Sequence, residues 1–264
     1  MANRNLRLPA RESAIAVLER LYEGRSVIPN DPAMAFLDYL VEDYADEWVT
    51  KMLFHYRWGP EEGVENASKI LPLWYLTIPD EMVEEFKTTF ARRQVDRLGG
   101  TVAGSLEVTG PLIEASYRRL LAILREHFKA QRFTFGGRPS AGDFGLHGQL
   151  TQLVQVEPPS MALARAEAPQ VLAWVDVMED LSGLDVSDED LLTRDAVPDT
   201  LRALFSEIGR TYAPFLVANE AAIESGAEQM EFQLDGCTLL AAALFLPEKV
   251  PELAARGICH AVIR

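Results

Sequence analysis

Cysteine is almost absent from this chain: its 264 residues include only Cys237 and Cys259, in no CxxC or metal-ligand spacing. That excludes a disulfide framework of the kind small secreted domains use, and it predicts reduced thiols in a cytoplasmic setting. Long apolar runs are missing as well. The most apolar stretch, Cys237 to Leu246, is far shorter than the roughly 20 residues a spanning helix needs, so it predicts a core element and no membrane insertion. Met1 to Pro9 carries no apolar h-region, and no secretory signal is expected. Positive charge is in deficit, with 25 Lys and Arg against 40 Asp and Glu and a net charge of −15. A surface of that sign repels phosphate backbones, which excludes nucleic acid as an expected partner. The Glu-x-x-His pairs that arm di-iron helical bundles are missing too. Leu124 stands three residues before His127 and Phe144 three before His147, so no metal is expected.

What is present is helix after helix. Ile15, Leu18, Leu21 and Tyr22 recur at helical spacing and predict a helix over 12–23. Val27-Ile-Pro-Asn-Asp-Pro32 reads as a loop, because its prolines remove helical N–H donors and push their predecessors towards extended backbone. From Ala33 to Trp58 there is neither proline nor glycine, and Leu37, Leu40, Val41, Tyr44, Trp48 and Met52 trace one face of a long helix. Further helical patterns are expected over 66–78, 80–98, 109–130, 141–155, 160–166 and 169–180, then over 201–212 and 214–222 on either side of Pro214. Leu184 to Thr193 is acidic and loop-like. Glu231-Phe-Gln-Leu-Asp-Gly236 alternates and ends in a turn dipeptide, which suits a small hairpin. The expected class is all-α.

The clearest local signal is Ser140-Ala-Gly-Asp143. Ser140 at the N-cap and Asp143 three residues on form a capping box, each satisfying an orphan donor of the other. Gly142, Gly145 and Gly148 recur every third residue and would let a neighbouring helix approach. A second signal is Phe54-His-Tyr-Arg-Trp58. Aromatic rings around one His and one Arg can line a wet-edged pocket. The competing interpretation is a helix C-terminus with His55 and Arg57 near the negative end of the dipole.

Gly136-Gly-Arg-Pro-Ser-Ala-Gly-Asp-Phe144, followed by Ala168-Pro-Gln-Val-Leu-Ala-Trp-Val-Asp-Val-Met178, resembles the C-terminal helical domain of the cytosolic glutathione S-transferase superfamily. The aromatic-ended long helix after a Pro-x-Asp-Pro linker is similar to that domain's first helix in the divergent bacterial and metaxin-like branch. The resemblance covers about residues 10 to 182. It implies an all-α, transferase-like helical bundle with a C-terminal extension, and an organisation of 1–29, 30–183 and 184–264. The first segment would be a lead-in holding the last helix of a thioredoxin-like domain whose remainder, with its thiol-activating residue, is missing. Segment 30–183 would be the helical domain, and 184–264 a helical extension packed on it. The resemblance further implies glutathione as co-substrate, with Glu12 and Ser13 at its γ-glutamyl end. A small hydrophobic molecule would then occupy a pocket formed by Tyr44, Trp48, His55, Tyr56, Arg57 and Trp58. The superfamily also offers the homodimer as an assembly. The alternative function is a non-catalytic ligand-binding or protein-assembly module of the same fold.

Overall fold

The computed structural model describes residues 14–22, 24–75, 79–97 and 106–242. A long helical rod runs through its centre. Helix α1 (Ala14–Leu21) precedes it. The rod itself consists of α2 (Pro32–Tyr44), a π-helical turn (Ala45–Val49) and α3 (Thr50–Trp58) in unbroken succession. Asp31 starts it by accepting from the N–H groups of Ala33 and Met34 at 2.9 and 3.1 Å. Pro32 takes the first helical position, where no N–H is needed. Val41, Tyr44, Ala45, Val49 and Met52 along the rod are fully buried.

The rest of the bundle surrounds this rod. Helices α4 (Glu61–Tyr75) and α5 (Val83–Arg97) form an outlying pair, joined to α3 through a small cluster of Trp58, Ala67, Leu71 and Phe90. Helix α6 (Leu106–Ala130) packs Tyr117, Leu120, Leu121 and Leu124 into the main core. Helices α7 (Ala141–Thr151), α8 (Pro158–Glu167) and α9 (Pro169–Glu179) follow, with a second π-helical turn (Gln152–Val156) after α7. The core-facing residues of α9 include Val171, Trp174 and Val175. Helix α10 (Asp199–Ser225) lies along α6, and a hairpin of β1 (Gln229–Leu234) and β2 (Cys237–Ala242) packs on α10. Among the described residues the fold is an all-α bundle with one two-stranded appendage.

Two expectations change in the structure. The helices expected over 201–212 and 214–222 are one helix, with Pro214 inside it. Proline removes one backbone bond and costs about 3 kcal/mol in a helix interior. Thr211, Tyr212 and Ala213 before it and Phe215, Asn219 and Ala222 after it are all buried, and their packing on a common core outweighs that loss. The helix then ends as a Schellman motif: Gly226 has φ +69°, and the N–H of Ala227 reaches Ala222 O at 2.9 Å. The glycine spacing of α7 also works only in part. A Cβ on Gly142 would sit 3.0 Å from Val41 Cβ and one on Gly145 would sit 3.1 Å from Glu42 Cα, so both do admit α2. Gly148 meets nothing within 4 Å. Each step of three residues turns about 60° short of a full circle, and two steps carry Gly148 off the contact face.

The acidic stretch after α9 is a strap across the turn that leads into α7. Asp190 O accepts from Gly137 N at 2.7 Å, and Leu192 N donates to Phe135 O at 2.8 Å. Gly136 has φ +127°, and a Cβ there would fall 2.4 Å from Asp190 O. Only glycine fits under the strap.

Candidate functional site

Two of the places in the bundle that hold buried polar groups differ in what they leave open. The first is the start of α7. One oxygen of Asp143 accepts from Thr134 N at 2.8 Å and Thr134 Oγ1 at 2.6 Å, while the other accepts from Ser140 N at 2.9 Å and Ser140 Oγ at 3.1 Å. Asp38, reaching across from α2, accepts from Gly142 N at 2.8 Å and Ala141 N at 3.2 Å. Burial pushes both carboxyls up, Asp38 to about 7, and the donors around them oppose that rise. The capping box closes as the sequence reads, with a second carboxylate from α2 completing it. Its groups face one another and hold the helix start; they present nothing to a ligand.

The second place is a half-open cleft between the rod, α6, α10 and the hairpin. Trp48 in the π-helical turn and Lys51 in the first turn of α3 form one side, three residues apart and so on one helix face. Ile113 of α6 and Phe215 of α10 form the next, and Phe232 and Leu239, a cross-strand pair, close the third. π-helical turns often occur at functional sites, because the extra residue re-aims the side chains beside it. Lys51 is the cation in a lining that is otherwise apolar except for Thr109. It is 9% exposed, its Nζ donates to Glu47 O at 2.9 Å, and it lies 4.6 Å from the centre of the Phe215 ring. Burial lowers its pKa, while the charge of Glu47 acts the other way. Lys51 makes no ion pair among the described residues.

A chain of polar contacts holds the hairpin over this cleft. Trp48 Nε1 donates to Ser116 Oγ at 3.3 Å, and Ser116 Oγ donates to Glu207 Oε1 at 2.9 Å. Arg119 grips Glu207 through two N–H groups at 2.8 and 3.0 Å, and approaches Asp235 at 3.3 Å. That hydrogen bond to Glu207 raises the already high pKa of Arg119. Arg210 Nε donates to Asp235 Oδ1 at 2.5 Å. Asp235 and Gly236 both have positive φ, +49° and +82°, which is the type I′ geometry an Asp-Gly hairpin turn adopts. The turn is thereby tied to α6 and α10. The buried side of β1, formed by Met230, Phe232 and Leu234, faces inward.

Of the residues expected in a pocket, Trp48 lines the cleft. The others spread around the rod. Tyr44 is fully buried, with its ring edge on Tyr212 at 6.0 Å. His55 places Nε2 at 3.1 Å from Glu114 Oε1, and Tyr56 packs between the rings of His55 and Tyr117. Arg57 donates to Glu157 Oε1 at 2.5 Å and to Gln152 Oε1 at 2.8 Å. Trp58 belongs to the outlying cluster with α4 and α5. Consecutive helical residues turn by about 100°, so a run such as 54–58 cannot share one wall. Glu12 and Ser13 lie outside the described residues.

The residues missed include Lys51, Ile113, Phe215, Phe232 and Leu239. One signal was legible: Lys51 interrupts the apolar face that Trp48 and Met52 share. The remaining walls come from elements far apart in sequence. No group of three or more metal-binding side chains occurs among the described residues, and no helix among them is long and apolar enough to cross a membrane. Residues 88–176 match the family model described as glutathione S-transferase, C-terminal domain. Comparison with curated proteins and with solved structures returns no match. The matched segment supplies Thr109 and Ile113 to the cleft; its other walls lie outside it.

Proposed function

Because residues 88–176 match the family model of the glutathione S-transferase C-terminal domain, we propose that this transferase-like protein uses its helical part to hold a small hydrophobic molecule in the cleft beside Trp48. One observation carries this reading: a half-open cleft whose lining is aromatic and aliphatic apart from Thr109, with one buried charge on its wall. Such a cleft gains free energy by removing apolar ligand surface from water. Binding of this kind requires no bond-making group. Glutathione as co-substrate is the further step. Glu12 and Ser13, which precede α1 in the sequence, would have to supply the hydroxyl and N–H donors for the γ-glutamyl carboxylate. Conjugation would also need a group that converts the glutathione thiol into thiolate. Binding without conjugation is the function we favour.

Calorimetric titration of the full chain with 1-decanol tests the cleft. Saturable binding that is lost in Ala241→Trp, which fills the cleft from β2, supports the reading; absence of binding overturns it. An alkylation assay with glutathione and a generic electrophile tests the further step. Turnover above the uncatalysed rate that falls in Ser13→Ala would make the protein an enzyme.

A further inference from the structure

The charge on the cleft wall narrows the ligand class. An ammonium group has three donors. Lys51 gives one to Glu47 O and turns towards the π face of Phe215, and it is buried to 9% exposure without an ion-pair partner among the described residues. The Glu47 charge compensates it in part without forming an ion pair, and an ammonium held by one backbone carbonyl and one ring has donor capacity left over. An apolar molecule alone would fill the cleft and cover the ammonium further, which raises the desolvation cost. A ligand that brings its own negative charge removes that cost, since a charge-assisted hydrogen bond forms where the walls exclude water. Apart from Thr109, the lining around Lys51 is aromatic or aliphatic, with Ile113, Phe215, Phe232 and Leu239 among it, which suits a hydrocarbon body.

We propose that the cleft binds a hydrophobic monocarboxylate, with its carboxylate on Lys51 Nζ and its apolar chain along Ile113, Phe215 and the hairpin. This rests on the reading of the cleft as a small-molecule site and adds the charge that selects the ligand. The whole-molecule field works against it. A net charge of −15 disfavours every anion at long range. Any preference for a carboxylate over its neutral counterpart therefore arises from a local cation.

The test is calorimetric titration of the full chain with decanoate and, separately, with 1-decanol, which share a ten-carbon chain and differ in charge. The expected result is roughly tenfold tighter binding of decanoate. Lys51→Met, close in volume and without charge, should remove that preference while leaving 1-decanol within about twofold of wild type. Lys51→Arg should preserve it, and Ala241→Trp should abolish binding of both probes. Equal affinity of the two probes for the wild-type protein would overturn the proposal and leave the hydrophobic cleft standing. A decanoate preference that survives in Lys51→Met would overturn it too, by assigning the charge elsewhere. Failure of both probes to bind would overturn the cleft reading itself. The two-probe comparison on the wild-type chain decides the matter even if Lys51→Met does not fold.

Discussion

The start of α7 and the cleft under the hairpin are both built from buried charge beside apolar packing, yet one is saturated and the other is not. At the helix start, Asp38 and Asp143 receive hydrogen bonds from Thr134, Ser140, Ala141 and Gly142. Six donor groups reach four carboxylate oxygens, so the site is complete without a ligand. In the cleft, Lys51 has one backbone acceptor and one ring. Polar burial by itself is therefore no mark of function; the number of partners left over is. Substitutions at the helix start should change stability and spare ligand binding, whereas substitutions in the cleft should do the reverse.

The largest expected effect tests the saturated site. Asp143→Ala leaves the N–H groups of Thr134 and Ser140 buried without an acceptor and should lower stability by about 4 kcal/mol. Urea denaturation measures it. Affinity of the folded remainder for 1-decanol should stay unchanged, and a large loss there would erase the distinction between the two regions. Next comes the pH response of Asp38. Burial raises its carboxyl from 3.8 to about 7, so the folded state holds a proton that the unfolded chain releases. Stability contributed by this group is present at acid pH and is lost as pH rises from about 4 through 7, by up to ~4 kcal/mol less the help of the helix dipole. Asp38→Asn should flatten the difference between denaturation midpoints at pH 5 and pH 8. An unchanged difference would mean that Asp38 stays ionised in the fold.

Asp235→Ala removes the turn anchor shared by Arg119 and Arg210. It should cost about 1 kcal/mol of stability and weaken 1-decanol binding, because the hairpin is a wall of the cleft. Binding at wild-type strength would show that the wall stands without its anchor. The smallest effects separate the glycines. Gly145→Ala should destabilise against Glu42, whereas Gly148→Ala, meeting open space, should stabilise by roughly 0.5–1 kcal/mol through helix propensity. Thermal denaturation reads both signs.

The same contrast explains which parts were legible in advance. Ser140 and Asp143 are three residues apart, and their interaction follows from helix geometry alone. The all-α class follows likewise from apolar spacing, and the Asp235-Gly236 turn from its dipeptide. Asp38 is one of several acidic residues between Ala33 and Trp58, and helical spacing alone gives it no role. Its role depends on α2 crossing α7 where Gly142 and Gly145 allow it. Pro214 misled because local chemistry argues for a break, while the packing of α10 on both sides of it argues otherwise.

By itself the sequence determined whatever depends on neighbours within about one helical turn: the helices, the capping box, the hairpin turn and, through its motif order, the likeness to a transferase C-terminal domain that the family model matches over residues 88–176. Tertiary structure alone decided the cleft. Trp48 and Lys51 are some sixty residues from Ile113, and well over a hundred and fifty from Phe215, Phe232 and Leu239. Periodicity says that each of these residues turns inward, but not which others it meets. That depends on how the helices cross, on the π-helical turn that holds Trp48, and on the ion pairs of Asp235 with Arg119 and Arg210 that tie the hairpin to the bundle.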